Sequence, residues 1–265
     1  MQLSRLTLIP VLVALSSLAQ AGVVMELVSR DASGQETDRA KIFAQEGMLR
    51  MNHGSDEDAA MIFLGDRFLY VNHSEKSYIV MDEAMLEEVS AQVSEAMKEM
   101  EAELANMPPE QRAMVEQMMQ GKMKGMMAGQ AAAAPKPRVE RLGASKWQSY
   151  ACRQYAVYEG AGKTQQVCAA KLDDVAGADE AMDAFIGMAA YMRKMAESMP
   201  MFADEGMNPG ELMDQIDGFP VHTIDYENGK VLRETSLDSV SEQDLDEELF
   251  AAPAGYRREN PLGRR

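Results

Sequence analysis

Methionine is segregated in this chain, and that segregation limits what the chain can fold into. Of its 24 methionines, 18 fall in two stretches, 82–128 and 177–217. The first contains no aromatic residue. Both interrupt runs that read as β-strands. In the first stretch Val89, Val93, Met97, Met100, Leu104 and Met107 recur at steps of three or four, which stacks them on one helical face. Glu87, Glu88, Glu95, Glu99, Glu101 and Glu103 make most of the remainder acidic. Asn106-Met107-Pro108-Pro109 ends that helix, because proline lacks an amide donor and disfavours α geometry in the residue before it. Pro109 suits the first turn of a second helix carrying Met114, Met118, Met119, Met123, Met126 and Met127, with Gly121, Gly125 and Gly129 weakening its far end. The pair reads as an antiparallel hairpin with apolar inner faces. The second stretch repeats the pattern in Met182, Phe185, Met188, Met192, Met195 and Met199.

A rigid core favours leucine, isoleucine and phenylalanine. The unbranched, polarizable thioether of methionine fills irregular spaces and re-packs easily. Three readings follow: ordinary helix-packing residues, an adaptable lid or binding surface, or a Cu(I) site built from the thioethers of Met119, Met123, Met126 and Met127. No histidine or cysteine accompanies that last group.

The rest of the chain is strand-like. Short runs at 23–30, 39–45, 48–53, 59–64, 67–73 and 77–81 form a meander, with Phe43, Phe63, Phe68, Tyr70 and Tyr78 concentrated there. Between the two helical stretches lie 138–142, 147–158 and 163–172. A last hairpin, 218–226 with 230–240, turns at Asn228-Gly229, a type I′ pair. Residues 241–250 predict a short acidic helical turn and 251–256 a closing segment. Arg257, Arg258, Arg264 and Arg265 read as a solvated, frayed tail. About ten strands with two helical excursions predict an α+β protein: one strongly curved antiparallel sheet with amphipathic helices to cover its concave face.

The N-terminus carries Arg5, an apolar run over 6–18, and Ala19-Gln20-Ala21 as a small-x-small site. This is the pattern of a secretory signal peptide over 1–21, cleaved after Ala21, and it predicts a periplasmic protein with one domain over 22–265. No later apolar run is long enough to span a bilayer. A net charge of −17 argues against nucleic acid, since phosphate recognition needs clustered Lys and Arg. Cys152 and Cys168 fit an oxidising compartment. A hairpin folded symmetrically about Gly160 sets them directly opposite, within reach of a disulfide that contributes roughly 3 kcal/mol.

No catalytic pattern is present. G-x-S-x-G, H-E-x-x-H and phosphate-binding glycine loops are absent from the sequence, and His53, His73 and His222 are not at ligand spacing. The expectation is a non-enzyme with neither metal nor cofactor. Its oligomeric state is left open.

The runs Met48-Leu49-Arg50-Met51-Asn52, Met61-Ile62-Phe63 and 70–82 (YVNHSEKSYIVMD) resemble exported bacterial proteins of unknown function, related to the lipoprotein-carrier fold of LolA and LolB. Leu237-Asp238-Ser239-Val240 and 249–256 (LFAAPAGY) resemble the closing strand and tail of the same group. The resemblance implies a half-open β-barrel with the helical insertions at 82–128 and 177–217 as a lid over an apolar cavity, which the carriers use for acyl chains. On this reading the protein binds or carries an apolar ligand, a lipid or acyl chain, or else an apolar protein segment. Met97, Met100, Met114, Met118, Phe185, Met188 and Met192 are its expected ligand contacts. The alternatives are a Cu(I)-binding protein and a structural, partner-binding protein of the envelope.

Overall fold

The computed structural model describes residues 22–53, 58–106, 108, 137–198, 212, 213 and 215–260. Twelve strands form one open sheet: β1 (Gly22–Asp31), β2 (Glu36–Gln45), β3 (Met48–His53), β4 (Ala59–Phe63), β5 (Phe68–Asn72), β6 (Ser77–Met81), β7 (Arg138–Trp147), β8 (Tyr150–Glu159), β9 (Gly162–Ala170), β10 (Phe219–Glu227), β11 (Lys230–Gln243) and β12 (Arg257–Glu259). Their order is β12-β6-β5-β4-β3-β2-β1-β11-β10-β9-β8-β7. Every pair is antiparallel except β12 with β6. Two helices are described, α1 (Glu83–Asn106) and α2 (Ala178–Ser198).

The sheet is curved. Neighbouring strands lie about 4.8 Å apart, so β7 and β10 are separated by roughly 14 Å along a flat sheet. Yet the Trp147 indole of β7 stacks flat on the His222 imidazole of β10, with centroids 3.6 Å apart and planes 3° from parallel. Side chains from Phe68 on β5 round to Cys152 on β8 share one core with α2. Only a face that bends toward the helix brings so many strands to it.

Helix α2 is seated on that concave face by small residues. Ala178, Ala181 and Ala184 are fully buried and let the helix backbone approach the sheet. Met182, Phe185, Met188, Tyr191 and Met195 pack beside them against the same core. The expected methionine stripe therefore needs one correction: Met192 points outward, 45% exposed, and Tyr191 takes its place. At the N-terminal end Glu180 accepts the Gly47 N–H at 3.3 Å and ties α2 to the β2–β3 turn.

Helix α1 behaves differently. Asp82 caps it, accepting the Met85 N–H at 2.9 Å, and Leu86 is buried. Past Leu86 its described side chains are half-buried or exposed. Of the lid expected from the two insertions, α2 thus lies across the sheet, whereas α1 joins it by its first turns. The expected second helix of the first insertion falls on 109–128, outside the described residues.

The opposite face has two covers. The segment after β11, with Leu245, a 3-10 turn at Glu247–Phe250, and Tyr256, packs on Phe43, Ile62, Leu69 and Val71. Leu212 and Ile216 pack on Tyr155, Val157 and Val167. Gly218 enters β10 at φ +115°, where any Cβ would overlap the Ala170 carbonyl oxygen.

Four expectations are corrected. Among the described residues there are twelve strands rather than about ten. β11 continues to Gln243, so the helical turn starts only at Glu247. Arg257 and Arg258 are not frayed: Arg257 N–H donates to the Lys76 carbonyl, pairing β12 with β6, and Arg258 lies 3.9 Å from Asp82. The disulfide Cys152–Cys168 is formed, but the two residues are not opposite. The turn centres between Gly160 and Ala161, and a register shift between Val157 and Tyr158 adds one more residue. Cys168 faces Gln154 and Cys152 faces Ala170, so the bridge runs diagonally, its Cα atoms 5.5 Å apart. The Asn228-Gly229 turn is as expected, with φ of 51° and 76°.

Candidate apolar groove

Where α1 leaves β6 it runs beside the last turns of α2. One contact ties α2 to the end of β6 and another links the two helices directly. Tyr191 O–H donates to the Met81 carbonyl at 3.3 Å, and Lys194 Nζ donates to Glu83 at 3.4 Å. Between them lies a groove of about 420 Å³. Leu86 and Ala91 of α1 and Tyr191 and Met195 of α2 supply its apolar lining. Glu83, Glu87, Ser90, Ser94 and Lys194 form the polar remainder.

The bottom of the groove is stiff. The Tyr191 ring sits 5.5 Å from Phe68, edge-on, and 5.9 Å from Phe63, and those two rings are 5.2 Å apart. Phe63 and Phe68 are buried strand residues, so Tyr191 is anchored to the sheet. Burial pushes the Tyr191 phenol above its ordinary range, and the carboxylates of Asp82, Asp66 and Glu83 push it the same way, with Arg67 opposing.

The expected contact residues fall into three groups. Phe185 and Met188 are half-buried against the sheet. Met192 faces outward. Met97 and Met100 are placed on α1 by backbone alone, while Met114, Met118 and the four methionines of the Cu(I) alternative lie outside the described residues. The methionine-centred reading omits Tyr191 and Leu86. Tyr191 was legible as a member of the 184, 188, 191, 195 spacing, which runs one residue behind Met192.

His73 and His222, the histidines whose side chains are described, do not converge. His73 Nδ1 is 2.9 Å from the Tyr256 hydroxyl, beside Arg50, while His222 Nε2 is 2.8 Å from Glu234 in its stack with Trp147. Among the described residues no group of three or more His, Cys, Asp or Glu is placed to hold a metal. No helix among them is long and apolar enough to cross a membrane.

A family model described as a domain of unknown function, DUF4412, matches residues 102–256, more than half of the chain. The chain belongs to the DUF4412 family. The DUF4412 match takes in α2, the disulfide hairpin and the closing segment as far as Tyr256, and starts near the end of α1. A search of curated proteins found no match. Among solved structures, the chain is similar to an uncharacterized conserved protein from Thermus thermophilus, with 9% identity, TM-score 0.45, and 91% and 90% of the two chains covered. It is also similar to a LolA superfamily protein from Nitrosomonas europaea, with 8% identity, TM-score 0.32, and 87% and 89% covered. A domain from Vibrio parahaemolyticus named for outer membrane lipoprotein sorting gives 10% identity, TM-score 0.27, and 87% and 88% covered. Likeness of this size assigns no function.

Proposed function

We propose that this DUF4412 protein is a non-catalytic, exported binding or carrier protein. The groove between α1 and α2 takes an apolar ligand: a lipid, an acyl chain or an apolar protein segment. The observation that carries this reading is the groove itself, apolar at its floor, between one helix seated on the sheet and one that is not. Its volume falls within the usual range for ligand pockets, roughly 300–1,000 Å³. Met97 and Met100 continue Leu86's helical spacing and are proposed to extend the contact along α1. Phe185 and Met188 are proposed to join it from the sheet side, and Met192 from the outer face of α2.

Export to the periplasm is supported by the pattern over 1–21 and by the disulfide, a bond that persists in oxidising compartments. The test uses the mature chain from Gly22 and a neutral fluorescent probe, N-phenyl-1-naphthylamine. Saturable enhancement is expected. Filling the groove with Ala91→Trp should weaken binding about tenfold, or ~1.4 kcal/mol, with the thermal transition unchanged. No enhancement with the folded wild-type protein overturns the reading.

A further inference from the structure

We propose that the groove's occupant is a cationic amphipathic helix of a partner protein, with an apolar stripe flanked by lysine or arginine. The inference rests on the groove being the binding site and chooses among the ligand classes that reading leaves open. Three observations carry it.

The first is the charge at the rim. Among the described residues lining the groove, two are carboxylates, Glu83 and Glu87, and one is a cation, Lys194, paired with Glu83 at 3.4 Å, which leaves the described rim net negative. Among the described side chains, α1 continues outward with Glu88, Glu95 and Glu99 against one lysine, Lys98. A fatty acid or phosphate-bearing headgroup placed here would bring negative charge to negative charge.

The second is what surrounds the floor. Burial raises the Tyr191 phenol most, Asp82, Asp66 and Glu83 raise it further, and Arg67 opposes them. An occupant that covers Tyr191 lies beside those carboxylates, so positive charge flanking its apolar stripe is attracted.

The third is shape. The groove runs between two helices and has an apolar floor of Leu86, Ala91, Tyr191 and Met195. An amphipathic helix fits such a site by laying i, i+3/i+4 and i+7 anchors along it. Sheet strands under Tyr191 keep the floor rigid, and α1, whose described side chains past Leu86 are half-buried or exposed, can adjust its distance to the guest.

The experiment loads mature protein with N-phenyl-1-naphthylamine and displaces it with two synthetic helical peptides of about five turns, ~18 residues. They share one leucine stripe and differ in flanking lysines or glutamates. The lysine peptide should displace the probe at about tenfold lower concentration. Its advantage should shrink as salt rises and the Debye length falls from about 30 Å at 0.01 M to about 10 Å at 0.1 M. Glu88→Lys with Glu95→Lys, exposed on α1 outside the groove lining, should weaken the preference severalfold while probe binding persists. Glu159→Lys with Glu227→Lys, the same charge change at distant exposed hairpin ends, should leave it in place.

Equal displacement by the two peptides, or stronger displacement by oleate than by the lysine peptide, overturns this inference and leaves the groove reading standing. Equal loss of preference in both double variants assigns the effect to net charge and also overturns it. A probe that never binds overturns the groove reading itself.

Discussion

Arg50 shows how a single side chain holds the closing segment. It is 8% exposed on β3 and reaches away from α2. Its Nε donates to Asn52 Oδ1 at 2.7 Å and its Nη1 to the Leu249 carbonyl at 2.8 Å. His73, close by, is 2.9 Å from the Tyr256 hydroxyl, so the cluster grips the segment at both ends. Removing a buried donor leaves its acceptors desolvated, a cost of about 2–4 kcal/mol. Arg50→Leu should therefore lower urea stability by that amount and expose 245–256 to protease. A loss below ~1 kcal/mol would show that apolar packing alone holds the segment. Asp31 gives a second residue-scale expectation. The Ser33 hydroxyl at 2.6 Å, helped by the Gln35 and Ser33 amides, holds its carboxyl below the ordinary range. A depressed folded-state value means the contribution is complete above the unfolded carboxylate range and is lost as pH falls through the folded value. Asp31→Asn should then be less stable than wild type at neutral pH and converge with it in acid, read by denaturation at several pH values.

At the scale of elements the two helices differ in what holds them. α2 buries four alanines, Ala178, Ala181, Ala184 and Ala189, and lays Phe185, Met188 and Tyr191 on the core. α1 has a capping Asp82 and one buried leucine among its described side chains. Local stability follows buried apolar contact. Amide exchange should be slow through 181–191 and fast through 90–99. Comparable protection in the two helices would mean that α1 is as firmly seated as α2, and an adjustable groove would not survive that result. The methionine pattern identified both helices but not this difference. Periodicity reports that a face is apolar; it does not report which surface the face meets.

Taken whole, the molecule depends on one curved sheet whose ends are tied separately. The Cys152–Cys168 bridge sits in the core beneath the Trp147–His222 stack at one end. β12 closes the other end along β6. Reducing the disulfide should cost roughly 3 kcal/mol in the chain-entropy model, measured as a lowered urea midpoint with and without reductant. A midpoint that does not move would show that the β8–β9 pairing needs no covalent tie.

Most of the strands were legible from the chain alone. Met48–His53 and Ser77–Met81 have the ends their alternation and turns predict, and Asn228-Gly229 makes its turn because both residues tolerate positive φ. These are local matters, decided by neighbours within a few residues. The diagonal disulfide, the outward Met192, the strand at Arg257–Glu259 and the groove itself were not legible. A one-residue shift near Val157 moves every later cross-strand partner, and a strand edge accepts the tail only because β6 leaves hydrogen-bonding groups free there. The sequence by itself determined which segments pleat, which coil and where methionine gathers, because those follow from side-chain period and backbone propensity. Tertiary structure alone decided that Glu83, Leu86 and Glu87 of one helix stand across a groove from Tyr191 and Met195 of the other, because that depends on how a curved sheet sets two helices side by side.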